Sequence, residues 1–237
     1  MCLNNWGGID HKVLEFHEYV NLFSGKSGSG KSTVMDAIQV ILYGSFSPSF
    51  LNKAADDAKN RRSVLSYLRG EQKDGSANRK DCDFCSVIAL EIEDTGTHII
   101  TCIGIAFEVR KSDSEIKKFV YFSHSGKMPE SEYLTEQGVC YSNQEIKKLV
   151  SARTKSDDNR GKGEVNRIYG SKEAYLGTLY DVILGYIDQN RFITMEKSAI
   201  ALKMTNGTGQ FIRDYMFPKN TSNTIATISE QLDSYRQ

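Results

Sequence analysis

Apolar and polar positions along the chain alternate in two different periods, and each period predicts its own element. Between residues 31 and 44, Val34, Ala37, Ile38, Ile41 and Leu42 recur at i, i+3, i+4, i+7 and i+8. That spacing is one face of a helix starting near Lys31, with Gly44 as its stop. Further on the period falls to two. Over Ser86–Glu93, Val87, Ala89 and Glu91 alternate with Ile88, Leu90 and Ile92. Thr97–Val109 and Lys118–Ser123 are two more β-rich runs, and turn signals separate them at Asp94-Thr95-Gly96 and at Lys111–Ser114. These three predict an antiparallel meander. Ahead of the helix, Val13–His17 reads as a short strand and Tyr19-Val20-Asn21-Leu22-Phe23-Ser24 as a buried one. Trp6-Gly7-Gly8 makes a turn before them, and Met1–Asn5 leaves little room for an opening edge strand.

The remaining stretches are less patterned. Residues 45–81 are polar and loop-like, with a helical stretch at Arg61–Leu68. Asn143–Ser151 predicts a short helix, and Arg153–Arg167 a mobile surface loop with almost no apolar residue. Helices follow at Ala174–Gly185, with Tyr175, Leu179, Val182 and Ile183 on one face, and at Glu196–Met204. After Gly207-Thr208-Gly209 comes Phe211–Met216, a strand or short helix. Ser222–Gln237 predicts a polar helix in which Ile225, Ile228 and Leu232 begin a heptad-like seam.

What lies between the Tyr19–Ser24 run and the first helix decides most of the chemistry. Gly25-Lys26-Ser27-Gly28-Ser29-Gly30-Lys31-Ser32 is a complete G-x-x-x-x-G-K-[ST] loop. Its glycines let the backbone take φ > 0 and approach a polyphosphate with no Cβ in the way. The N–H groups then form an anion nest, to which the helix N-terminus adds its dipole. Lys31 is expected on the β- and γ-phosphates as the catalytic cation, the Ser32 hydroxyl on Mg²⁺, and Thr33 at the α-phosphate. The expected ligands are ATP and Mg²⁺.

Composition narrows the rest only modestly. Formal net charge is zero, so bulk electrostatics do not point to nucleic acid, although a local basic face is compatible with a neutral chain. There is no apolar run of about eighteen residues and no basic-then-apolar leader, so no membrane partner and a cytoplasmic location are expected. Five cysteines at irregular spacings fit reduced thiols. Cys82-Asp83-Phe84-Cys85 lacks the second pair that a zinc site needs, and the histidines show no metal-ligand spacing.

A P-loop ATPase also needs a carboxylate to hold Mg²⁺ and orient water, normally closing an apolar strand. No such run stands out: Glu93-Asp94 falls at a turn and Asp181 in a helix. A signature of the L-S-G-G-x kind is absent as well.

Several blocks together resemble one family. Asn5–Asp10, the phosphate loop and Val34–Gly44 are similar to the N-terminal head segment of SMC-type ATPases. Leu51–Ala55 with Arg61–Gly70, and further Tyr169–Tyr175 and Gln210–Tyr215, resemble the MukB-like branch, nearest to the JetC subunits of Wadjet plasmid-defence systems and the MksB condensins. The resemblance implies an α/β P-loop NTPase head of the ABC/SMC type: a mixed sheet, the phosphate loop on an inner strand, an antiparallel meander and flanking helices. It implies that residues 1–221 are the N-terminal half of the head and 222–237 the root of a coiled-coil arm. The signature and the Mg²⁺ carboxylates would lie in a C-terminal half-head, in cis or on a separate chain. Head dimerisation, kleisin-type and winged-helix subunits, a toprim nuclease and DNA are the partners it implies.

By the same resemblance Arg61 and Arg62 match an arginine-bearing segment beside the nucleotide, against the alternative of a solvated helix face. Gln210 matches a glutamine that touches Mg²⁺, with Gln189 as a rival and an ordinary loop residue as the alternative. Lys53, Arg69, Lys73, Arg79 and Lys80 are either a DNA-facing patch or plain solvated surface. A RecF- or RecN-type DNA-repair ATPase and a non-catalytic interaction domain are the competing functions. An isolated half-head is expected to hydrolyse ATP negligibly.

Overall fold

The computed structural model describes residues 1–26, 28–47, 63–72, 75–157 and 165–200. The chain divides into two units, Met1–Gln189 and Asn190–Gln237. The expected boundary at 221/222 and the seam beyond it lie outside the described residues. So do Leu51–Ala55, the break at Gly207–Gly209 and Phe211–Met216.

Among the described residues, the first unit is built on a six-stranded sheet. Its strands are β1 (Cys2–Trp6), β2 (Ile9–Val13), β3 (Phe84–Glu93), β4 (Ile100–Val109), β5 (Lys118–Ser125) and β6 (Arg167–Tyr169), in spatial order β2-β1-β3-β4-β5-β6. Every pairing is antiparallel. The meander therefore forms where the period-two pattern puts it, with Val87 opposite Ala106 and Gly104 opposite Phe122. Its first turn is fixed by Asp94, whose side chain accepts from the N–H groups of Gly96 (2.9 Å) and Thr97 (2.8 Å). The helices are α1 (Lys31–Tyr43), α2 (Val64–Arg69), α3 (Asn143–Asp157) and α4 (Lys172–Gly177), and α4 runs into a π-helical turn at Thr178–Ile183. Helix α5 (Gln189–Ile200) starts earlier than the predicted Glu196; Gln189 is its first residue, and from Asn190 on it belongs to the second unit.

Strand β4 is buried without interruption from Thr101 to Phe107, because both faces of the sheet are covered. One face carries Val87, Ala89, Ala106 and Phe122, and packs on Ile146 and Val150 of α3 and on Tyr133. The opposite parity carries Ile88, Ile105, Phe107 and Tyr121 toward α1. There Phe46 packs edge-on against Phe119 (4.7 Å) and Phe107 (5.4 Å).

Helix α1 is held at its end by three tyrosines. A helix leaves its last carbonyls unpaired, and the last turn of α1 has no basic residue. The hydroxyls of Tyr175, Tyr180 and Tyr121 donate to Ile41 O (2.9 Å), Leu42 O (3.0 Å) and Gly44 O (2.6 Å). Burial raises the pKa of Tyr121 to about 12 and of Tyr180 to about 12, which keeps these groups as donors.

Several expectations are corrected. The opening strand exists: Leu3 and Trp6 of β1 are fully buried. Asn4, also buried, sends its amide to Glu132 O at 2.8 Å, so a polar residue that hides the alternation is satisfied inside. The second strand is Ile9–Val13 rather than Val13–His17. Helix α3 continues to Asp157, well into the stretch read as loop. Val182 is exposed, because the π-helical turn rotates it off the face that buries Tyr175, Leu176, Leu179 and Tyr180.

The largest correction concerns the phosphate loop. Tyr19–Ser24 is not a strand, and it pairs with nothing in the sheet. Tyr19 is 86 % and Leu22 90 % exposed. The fold is a mixed α/β one, but the loop does not hang from an inner strand of this sheet, and the sheet is antiparallel rather than mixed. A β-prone run needs a neighbouring strand to pair with, and the described residues offer none beside it.

Candidate functional site

The loop itself is positioned from the helix side. Gly30 caps α1 with φ 88° and ψ 4°, a left-handed geometry that a side chain would strain. The N–H of Val34 reaches Gly30 O at 3.1 Å, closing the first helical turn, and the N–H of Ser29 reaches Lys26 O at 3.2 Å, closing the turn before it. The first turn of α1 carries no acidic residue and receives no side-chain cap. Its free N–H groups and positive dipole end therefore stay open to an anion.

Lys31 folds back over this turn. Its ammonium donates to Gly25 O (2.6 Å), Lys26 O (2.9 Å) and Ser29 Oγ (3.2 Å). The charge is thus held at the mouth of the loop, ordered by the loop's own carbonyls. Ser29 fits closely there: its Oγ lies 2.7 Å from where a Cβ on Gly25 would stand. Gly25, Lys26, Gly28, Ser29 and Ser32 are exposed, and Thr33 is half-buried against the β1–β2 turn. These residues fit a polyphosphate on geometry and charge, and the Ser32 hydroxyl beside them is the expected Mg²⁺ ligand. Among the described residues, no group of three His, Cys, Asp or Glu side chains could hold a metal ion. Asp36, the acid nearest in sequence, is buried and accepts from the Tyr67 hydroxyl.

The loop region has counterparts elsewhere. Residues 1–58 match the family model described as the P-loop containing region of AAA domain. This N-terminal stretch is similar to a P-loop region of the AAA type. The match is compatible with an ATP-binding role and, through the fold, with Mg²⁺ as its usual companion. No curated protein matches the chain.

Other expected site residues fare differently. Ser27, Arg61, Arg62, Gln210, Lys53 and Lys73 lie outside the described residues. Arg79 does not face outward for DNA. It is buried, and its guanidinium donates to Leu68 O (2.9 Å), Asp10 Oδ1 (2.7 Å) and Gly7 O. Burial lowers its pKa from the ordinary value, while Asp10 opposes that shift. Arg69 donates to the carbonyls of Lys111 and Asp113, and among the described members of that set Lys80 is the exposed one. All five cysteines are free, with Cys2, Cys102 and Cys140 buried. Among the described residues no helix is long and apolar enough to cross a membrane.

Sequence reasoning missed what surrounds α1. The hydroxyl donors at its end and the contacts of Trp6 at its beginning come from elements distant in the chain, and no local spacing announces them.

Proposed function

We propose that the chain is the ATP-binding half of an SMC-like, condensin-type head that works on DNA, in anti-plasmid defence of the Wadjet kind or in chromosome organisation. The observation that carries this reading is a complete phosphate-loop sequence next to an exposed, β-prone segment leading into it. Tyr19–Ser24 has the composition of an inner strand and no partner among the described strands. A strand from a C-terminal half-head, in cis or on another chain, would pair with it. That strand would bring the Mg²⁺ and water-orienting carboxylate to the open side of Lys31 and Ser32. The resemblance of Asn5–Asp10, Val34–Gly44 and Arg61–Gly70 to MukB-like heads supports the branch. Two such heads would close on ATP and reopen on hydrolysis, with kleisin-type and winged-helix subunits, and in the defence setting a toprim nuclease, as the expected company.

In this reading Lys31 neutralises charge on the terminal phosphates, the nest formed by Gly28, Ser29 and Gly30 orients them, and Ser32 contributes its hydroxyl to Mg²⁺. Phosphoryl transfer depends on positioning and on charge stabilisation, and each missing group costs decades of rate. The chain alone is therefore expected to bind ATP and turn it over negligibly. Steady-state ATPase measurement on the purified chain tests this. A rate approaching about 1 s⁻¹ that disappears in Lys31→Ala would show a self-sufficient active site and overturn the half-head reading.

A further inference from the structure

The first turn of α1 is gripped from the side by a buried aromatic pair that the phosphate chemistry does not use. The Trp6 indole N–H donates to Thr33 O at 2.9 Å. The Trp6 ring stacks on Tyr67 of α2, with centroids 5.1 Å apart and planes 7° from parallel. The Tyr67 hydroxyl in turn donates to the Asp36 carboxylate. Thr33 and Asp36 are three residues apart, hence on one face of the helix. Trp6, Tyr67 and Asp36 are all buried.

Backbone contacts close the arrangement. The N–H of Gly7 donates to Tyr67 O at 2.8 Å. Gly7 sits at φ +60°, and a Cβ there would stand 2.5 Å from Thr33 Cγ2, so the turn presses directly on the residue expected at the α-phosphate. Arg79 bonds both Gly7 O and Leu68 O, tying that turn to α2 a second time.

We propose that Trp6 and Tyr67 are positioning residues for the nucleotide site, and that through them the occupancy of the phosphate loop is felt in α2. The inference rests on the nucleotide-binding reading above. Phosphates engage the N–H groups of the first turn of α1, within two residues of Thr33. A packed interior does not absorb a displacement of that turn. The indole bonded to Thr33 O, the ring stacked on it and the hydroxyl on Asp36 move with it or resist it together. Helix α2 spans Val64–Arg69 and is capped by Ser63, whose side chain accepts from the N–H of Ser66. Whatever shifts Tyr67 therefore reaches the segment that follows Arg61 and Arg62.

Trp6 is the only tryptophan in the chain, so tryptophan fluorescence reports on the surroundings of this one ring. The probe is AMP-PNP with Mg²⁺, with binding followed independently by calorimetry. On saturation the Trp6 emission is expected to change and the amides of residues 64–70 to exchange more slowly. Tyr67→Phe keeps the stack and removes only the hydroxyl. It is expected to weaken binding about fivefold and to reduce the slowing in α2. Tyr175→Phe removes a comparable buried hydroxyl at the other end of α1 and is expected to change neither. Nucleotide that binds wild type without altering Trp6 emission or α2 exchange would overturn the relay and leave the nucleotide site standing. Equal affinity and equal α2 slowing in Tyr67→Phe would also overturn it. An absence of binding to wild type would overturn the nucleotide site and the relay together.

Discussion

Two stretches of similar composition end in opposite places. Lys118-Phe119-Val120-Tyr121-Phe122-Ser123 lies in β5 between β4 and β6, with Phe122 fully buried. Tyr19-Val20-Asn21-Leu22-Phe23-Ser24 forms no strand and is exposed along most of its length. Each carries aromatic and β-branched residues ending in serine, and either alone would be read as a strand. The difference is the neighbour. Strand β5 follows β4 through a short connection and finds its partner in the same chain. The Tyr19–Ser24 run directly precedes the phosphate loop in the sequence, with no described strand on either side. The propensity of a segment records what it could pair with, not whether the partner is present.

The comparison breaks most sharply under truncation of a side chain in each stretch. Phe122→Ala removes a fully buried ring from the face shared with Val87, Ala106 and Ile146 and should cost about 3–5 kcal/mol. Urea denaturation would show this as a large drop in midpoint. A loss under about 1 kcal/mol would mean that the sheet is not the stable part of the chain.

The second test titrates the same sheet. His124 neighbours Phe122 across one residue of β5. It is buried, with Tyr133 Oη 3.0 Å from Nε2 and Ser125 O 3.1 Å from Nδ1. Burial pulls its pKa from 6.5 down to about 4, aided by Arg153 and opposed by the Ser125 carbonyl and Glu91. The folded imidazole therefore stays neutral where the unfolded one takes up a proton. Stability is complete above pH 6.5 and falls as the pH drops toward about 4, by roughly 3 kcal/mol in all. Urea midpoints measured across this window should decline in wild type and decline less in His124→Gln. Parallel declines would place the acid sensitivity in other groups.

How much of this could be read from the chain follows the same line. Helix α1 was legible because Val34, Ala37 and Ile41 repeat with the helical period. The meander was legible because its alternation is broken by strong turn signals such as Asp94-Thr95-Gly96. The phosphate loop is a pattern of fixed residue types and shows itself directly. Strand β1 was not legible: its buried Asn4 is satisfied by Glu132, far away in sequence, and looks like a surface residue. Arg79 likewise reads as a surface charge until the carbonyls of Gly7 and Leu68 are seen around it. The fate of Tyr19–Ser24 was misread because the pattern carries no information about which strands are available to pair.

The smallest effect is expected on the exposed side. Leu22→Ser removes an apolar side chain that is already in solvent and should change the stability of the chain by no more than about 0.5 kcal/mol. If a C-terminal half-head pairs with this segment, the same substitution should weaken that association in a pull-down with the half-head. Leu22→Ser that unfolds the chain would show that the segment is packed in a way the structure does not contain.

The central claim is that Lys31 and the loop around it bind a nucleoside triphosphate without help from a partner, and calorimetry of ATP against the purified chain tests it most directly. Wild type should bind, and Lys31→Ala should bind about ten- to a hundredfold more weakly, the loss of one charge-assisted contact worth on the order of 1.5–3 kcal/mol. Ser32→Ala should weaken binding with Mg²⁺ present and leave it unchanged with a chelator. Equal affinity in wild type and Lys31→Ala, or no binding to wild type, would contradict the account.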